Sequence, residues 1–323
     1  MTSARTIIAI VAICGIASSA SAKIWQVNSN SGVTVDFATV QAAHDGAASG
    51  DTLYVAGSPT TYGDLTAEKT LYIFGPGYFL DENPGNQASN VSCTIGTVNF
   101  NAGSERTQMS GTTVDGVMTV NTDNIAVLRN RISVGQVLTG TNVANLTFGQ
   151  NYVSNLSVGS GSNNILIFNN FFTQSLLSPV SSSAEVVSNV FTNSIQAVSN
   201  STVRNNIVIS TSATGPFTGT GNEVSNNIGG GAEFGTENGN QSNVDMSTVF
   251  VATGSTDGKW QLAAGSPAIG AGFNGVDIGM FGGSTPYVLS GIPAIPTIYS
   301  FDAPAIGTTG GGLAVNMSIK SRN

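Results

Sequence analysis

Along the middle of the chain, apolar and polar residues alternate in short runs that break at an asparagine and then resume. Six segments share the pattern: VLRNRIS (127–133), FGQNYVS (148–154), IFNNFFT (167–173), VVSNVFT (186–192), VRNNIVI (203–209) and VSNNIGG (224–230). Their common asparagines are Asn130, Asn151, Asn170, Asn189, Asn206 and Asn227, at intervals of 21, 19, 19, 17 and 21 residues. Three positions before each stands an apolar residue: Val127, Phe148, Ile167, Val186, Val203 and Val224. Two positions after stand Ile132, Val153, Phe172, Phe191 and Val208, with Gly229 closing the series. Alternation with period two is the signature of a strand buried on one face.

Two apolar rows separated by an asparagine predict two short strands meeting at a sharp bend. Asparagine suits such a bend because it tolerates left-handed backbone and bonds to nearby peptide groups. A recurring unit of about twenty residues cannot bury its own apolar face and must stack on its neighbours. Stacking pairs each strand with its equivalent about 4.8 Å away and aligns equivalent side chains into ladders. The expected fold is all-β: a right-handed parallel β-helix, with the six asparagines bonding from coil to coil as a structural ladder. At the inter-strand spacing, coils from about residue 50 to 283 would number on the order of ten to twelve.

Other textures flank the repeats. Residues 37–44 form an amphipathic helix in which Phe37, Val40 and Ala43 or His44 share one face, with Asp36 as the expected N-cap. Such a helix at the N-terminal end of the stack would cover unpaired strands and exposed core. Beyond Gly283, Pro286, Pro293, Pro296 and Pro304 interrupt any ladder, and Ile295–Phe301 with Leu313–Ile319 suit one β-hairpin. The organisation expected is therefore a leader at 1–22, a β-helix with its cap helix at 23–285, and a hairpin appendage at 286–323.

The leader is read from Arg5, the apolar run Ile7–Ile16 and the small residues Ala20-Ser21-Ala22, the layout of a secretory signal peptide. The apolar run is too short to remain as a membrane span, so no stable transmembrane segment is expected after cleavage. Cleavage after Ala22 leaves 301 residues with nine Lys and Arg against 18 Asp and Glu, a net charge of −9. Nucleic acid is an unsuitable partner for so acidic a chain. Cleavage also removes Cys14, leaving Cys93 as a lone thiol best read as a small buried hydrophobe.

A resemblance enters at the two ends. The stretch ATVQAAHDGAASGDTLYVAGSPTTYGDLTAEKTLYIFGPGY (38–78) resembles the opening segment of secreted bacterial right-handed β-helix proteins, related in architecture to pectate lyases. The segment GSPAIGAGFNGVDIGMFGG (265–283) is similar to the closing turn of many such proteins. The resemblance implies the same fold and export to the cell surface or medium. It implies no single activity, because this fold carries many functions.

Enzymes of this architecture mostly cleave acidic polysaccharides. A lyase needs a cation held by clustered carboxylates and an Arg or Lys base, and a hydrolase needs two facing carboxylates. Between Arg106 and Asn222 the acids are Asp115, Asp123 and Glu185, and the bases, with Arg106, are Arg129, Arg131 and Arg204. The best available catalytic constellation is Asp115 and Asp123 beside Arg129 and Arg131 on adjacent coils. Solvated charges account for the same residues without chemistry. Glu223, Glu233, Glu237 and Asp245 would hold Ca2+ only loosely, since no calcium-loop spacing is present; otherwise no cofactor is expected. Tyr152 and Phe171, each one residue after its asparagine, are the candidates for an exposed aromatic surface that reads glycans. Inward packing or cover for neighbouring coils is the competing reading. The function expected is a non-catalytic structural, adhesive or glycan-binding protein outside the cell, with extracellular polysaccharide or cell-surface components as partners. A polysaccharide lyase is the alternative.

Overall fold

A computed structural model describes residues 22–132, 134–177, 182–196, 199–212, 219–307 and 312–321. The leader, apart from Ala22, lies outside the described residues. The chain forms a parallel β-solenoid of about nine turns. Three sheets make its walls, and every pairing within them is parallel and in register with the coil repeat. The first sheet has ten strands, from Ile24–Val27 to Glu223–Ser225. Among the described residues the second has eight, from Thr94–Ile95 to Ile228–Gly229, and the third has seven, from Leu65–Ala67 to Ser194–Gln196.

The apolar rows read from the sequence fill the interior. Val127, Phe148, Ile167, Val186 and Val203 line the inner face of the first sheet, and Ile132, Val153, Phe172, Phe191 and Val208 that of the second; all are buried. Phe172 and Phe191 stack at 4.5 Å between ring centres. Between these sheets runs the asparagine ladder, fully buried from Asn130 to Asn227. Each member's side-chain oxygen accepts from the preceding coil: the Asn151 backbone N–H and Nδ2 both donate to Asn170 Oδ1, at 2.9 and 3.0 Å. Each amide also donates to a backbone carbonyl, as Asn170 Nδ2 does to Phe148 O at 2.9 Å. Buried amides demand such complete pairing.

The ladder is longer than the six. Asn240 Oδ1 accepts from both nitrogens of Asn227 at 2.9 and 3.0 Å. The last coil is short, so Asn240 falls outside the interval that reveals the others. At the other end Thr112 Oγ1 donates to Asn130 Oδ1 at 2.9 Å. Cys93 occupies the next equivalent position, one before the Thr94↔Thr113 pair. It is buried as expected, and burial pushes its thiol up to about 12.

Three expectations are corrected. The left-handed residues of the bend are those just before the ladder: Arg129, Gln150, Asn169, Ser188, Asn205 and Asn226, with φ from 50° to 58°. The ladder asparagines keep ordinary backbone because their side chains must point inward to stack. The cap helix, Val40–Gly46, starts later than read, with Thr39 as N-cap accepting from the Ala42 N–H at 3.2 Å. Asp36 instead accepts from the Gln26 N–H at 2.8 Å and ties down the first strand. His44 is buried against the first coil, its Nε2 accepting from the Glu68 N–H at 3.0 Å. Lastly, the stack does not run to 283: its last pairing is the bridge of Ile228 with Gln241. Beyond it the chain turns back along the solenoid.

That returning segment is a strap. The bend residues clamp it in reverse chain order. Asn226 Nδ2 donates to Ala271 O at 3.1 Å, and Asn205 Oδ1 accepts from the Phe273 N–H at 2.8 Å. Asn169 Nδ2 donates to Met280 O and Gly282 O, both at 2.8 Å. Gln150 Nε2 reaches Thr285 O and Pro286 O, and Arg129 Nη1 reaches Ile292 O at 2.9 Å. Left-handed backbone at these positions turns their side chains out of the coil, which is why they meet the strap. Gly279, at φ 97°, lets the strap approach the second sheet; a Cβ there would stand 2.7 Å from Ile207 Cδ1.

Thr297–Asp302 and Asn316–Lys320 pair as an antiparallel hairpin, the element expected near the C-terminus. Among the described residues no helix is long and apolar enough to cross a membrane.

Candidate functional site

The outer face of the first sheet presents Thr147, Leu166, Glu185 and Thr202 in one row and Phe168, Val187 and Arg204 in the next. The strap rises beside these rows and converts the face into a groove of about 540 Å³. Phe168 forms part of its floor. Its ring occupies the space above Gly149 on the preceding coil, where a Cβ would come within 2.2 Å of ring carbons. Phe273 is on the strap side, held by its N–H bond to Asn205, and its side chain stays 46% exposed. In the same groove Arg204 Nη2 donates to Glu185 Oε1 at 2.7 Å, and its guanidinium carbon lies 5.2 Å from the Phe273 ring centre. Among the described residues Glu185 and Arg204 are the charged groups lining the groove; its other polar groups include Asn169, Asn205, Asn274, Ser284 and Thr285.

The residues singled out from the sequence lie elsewhere. Asp115 is exposed and follows the strand Thr113–Val114 of the second sheet, next to the strand that holds Arg131. Arg131 packs its guanidinium 4.9 Å from the Phe79 ring centre. Asp123 sits in the turn from the third sheet to the first, accepting from the Ala144 N–H at 2.8 Å. Arg129 is at the opposite bend, with Nε donating to Gln150 at 2.8 Å and Nη1 to the strap. Asp115 and Arg131 are thus on neighbouring coils of the second sheet, Asp123 lies in a separate turn, and Arg129 is a clamp.

Tyr152 and Phe171 do point outward from the second sheet, but a roof covers them. Phe79 meets Tyr152 edge-on at 5.1 Å, Tyr152 stacks on Phe171 at 5.0 Å, and Phe171 stacks on Trp260 at 4.5 Å. The excursion around Tyr78–Phe79 and the chain from Val244 to Leu289 supply this roof. Buried Asp257 ties its parts together, accepting from Asn83 Nδ2 at 2.9 Å and from the Ser290 N–H at 2.7 Å. Tyr287 also donates to Asp257 and pairs with Tyr78 at 2.7 Å; burial holds both phenols well above their ordinary range.

The four acids of the late loop are dispersed. Asp245 accepts from the Ser247 N–H and hydroxyl, which lower its pKa. Glu233 folds over Gly229 at the end of the second sheet, and burial raises its pKa. Among the described residues no group of three or more His, Cys, Asp or Glu is placed to hold a metal ion.

Sequence reasoning passed over Phe168 and Phe273, and assigned Glu185 and Arg204 no role. The pair carried a usable signal: the 17-residue interval from Asn189 to Asn206 makes Thr202 the equivalent of Glu185, and Arg204, two residues further along the strand, falls on the same face. Phe273 had none, because only the folded-back strap brings it there. Comparison with protein-family models, with curated proteins and with solved structures finds no match for this chain. The solenoid is compatible with the pectate-lyase-like architecture that the terminal segments resemble.

Proposed function

We propose that this protein is an exported, non-catalytic β-helix that binds saccharide in the groove between the first sheet and the strap. The observation that carries the reading is that Phe168 and Phe273 line one groove together with the Glu185–Arg204 pair, with Arg204 against the Phe273 ring. Sugar rings offer C–H faces that pack on aromatic rings, and hydroxyls that pair with carboxylate, guanidinium and amide groups. A concave site with a few convergent polar groups on an apolar floor suits such a ligand. Export rests on the leader pattern of residues 1–22.

The same groove argues for binding over cleavage. Glycoside hydrolysis needs two carboxylates across the scissile bond, and among the described residues Glu185 is the one acid lining this groove. A lyase needs a base free to approach the substrate, whereas Arg204 is engaged by Glu185 and the Phe273 ring. The test is affinity electrophoresis of the purified protein through immobilised neutral and acidic polysaccharides, with an ultraviolet assay for unsaturated product run in parallel. Retardation on at least one polysaccharide, lost in Phe273→Ala, is expected. Unsaturated product that disappears in Arg204→Ala would make the protein a lyase instead, and no retardation on any polysaccharide would refute binding.

A further inference from the structure

The groove does not end at Glu185. A second depression of about 270 Å³ opens on the same sheet and shares Leu166 and Glu185 with the first. Its far edge is formed by Asn164 and Asn200, both exposed, in the turns that lead into the first sheet. Ser183 and Thr202 complete its polar lining. The two depressions together cross three coils, Ile165–Phe168, Ala184–Val187 and Thr202–Arg204. The path follows the strands for about four residues, a length of about 13 Å. One end is aromatic and walled by the strap; the other is a rim of amides and hydroxyls.

Charge narrows the ligand further. Among the described residues the charged groups lining both depressions are Glu185 and Arg204, and these two neutralise each other at 2.7 Å. The chain around them carries a net charge of −8, a field that opposes a polyanion. We infer that the groove takes a neutral oligosaccharide of at least three units, laid along the strands from the Phe273 wall to the Asn164–Asn200 rim. This rests on the saccharide reading above. The aromatic end grips a sugar face, Glu185 and Arg204 pair with hydroxyls at the midpoint, and the amide rim engages the far unit.

Isothermal titration of the whole protein with cello-, xylo- and manno-oligosaccharides of two to six units tests this, with galacturonate oligomers of matched length alongside. In one neutral series the affinity is expected to rise about tenfold between two and four units and then level off, the gain of about one well-made hydrogen bond. Galacturonates are expected to bind at least about tenfold more weakly, by the same electrostatic argument. Thr202→Val removes a hydroxyl from the second depression and keeps a β-branched side chain on the strand. It should pull the four-unit affinity towards the two-unit value, while Phe273→Ala weakens every length. Equal affinity for two and four units, or a preference for galacturonate, overturns this inference and leaves saccharide binding standing. Binding by none of the oligomers overturns both readings. The wild-type series decides the matter even if a variant folds poorly.

Discussion

The first and second sheets leave the same bend in every coil, yet their outer faces have opposite fates. On the second, the outward row begins with the polar Thr94, Thr113 and Arg131, but in the five later coils it is Tyr152, Phe171, Val190, Ile207 and Ile228, all buried under the roof. On the first, the outward row of Thr147, Leu166, Glu185, Thr202 and Glu223 mixes sizes and charges, and it stays partly open. An apolar ladder on the outside of a solenoid needs cover, since leaving it wet forfeits its burial free energy. A mixed ladder has no such need and is free to meet a ligand. The strap serves both faces: it anchors the roof of one and walls the groove of the other.

The largest effect should come from breaking the covered face. Phe171→Ala removes the ring between Tyr152 and Trp260 and is expected to cost about 3–5 kcal/mol in urea unfolding. Leu166→Ala on the open face should stay within about 0.5 kcal/mol. Similar losses at the two sites would mean that the roof adds little stability.

Next is the hinge that both faces share. Asn170→Ala takes away the acceptor of the Asn151 N–H and a donor to Phe148 O, both buried. A cost of about 2–3 kcal/mol is expected by the same measurement.

The strap comes third. Asn205→Gly keeps the left-handed backbone of the bend and deletes the acceptor of the Phe273 N–H. About 1 kcal/mol should be lost, and amide exchange at Phe273 should quicken relative to the interior ladder. Unchanged exchange there would show that the wall is held by other contacts.

The smallest effect is a pH dependence at the end of the covered face. Burial raises the pKa of Glu233 in the folded state, so folding favours its protonated form. Wild type should match Glu233→Gln below the ordinary glutamate value of 4.5. It should fall behind as pH rises through that value, the deficit being complete above the raised folded pKa. Thermal unfolding of the two proteins across acidic to neutral pH reads the difference.

The fold was legible because its main signal repeats. Asn151, Asn170 and Asn189 announce the ladder by spacing alone, and the apolar residues three before and two after them announce the inner walls. Asn240 was lost because a short last coil breaks the interval, and Thr112 because a different residue type fills the place. The left-handed positions were misassigned by one residue, since asparagine propensity for such backbone argues equally for Asn169 and Asn170; the ladder bonds of the second and the strap bonds of the first decide between them. The aromatic candidates failed for a different reason. Alternation correctly turned Tyr152 and Phe171 outward, but only a segment more than one coil distant says whether outward means exposed.

By itself, then, the sequence determined the coil, its stacking, the interior rows and the buried amide ladder. These follow from relations between residues at one fixed interval, which any segment of the repeat displays. Tertiary structure alone decided where the solenoid stops, which outer face is roofed, and that Phe273 joins Phe168 and the Glu185–Arg204 pair in lining one groove. Those outcomes depend on shape and hydrogen-bond complementarity between a non-repeating strap and particular bend residues, and no interval along the chain encodes that match.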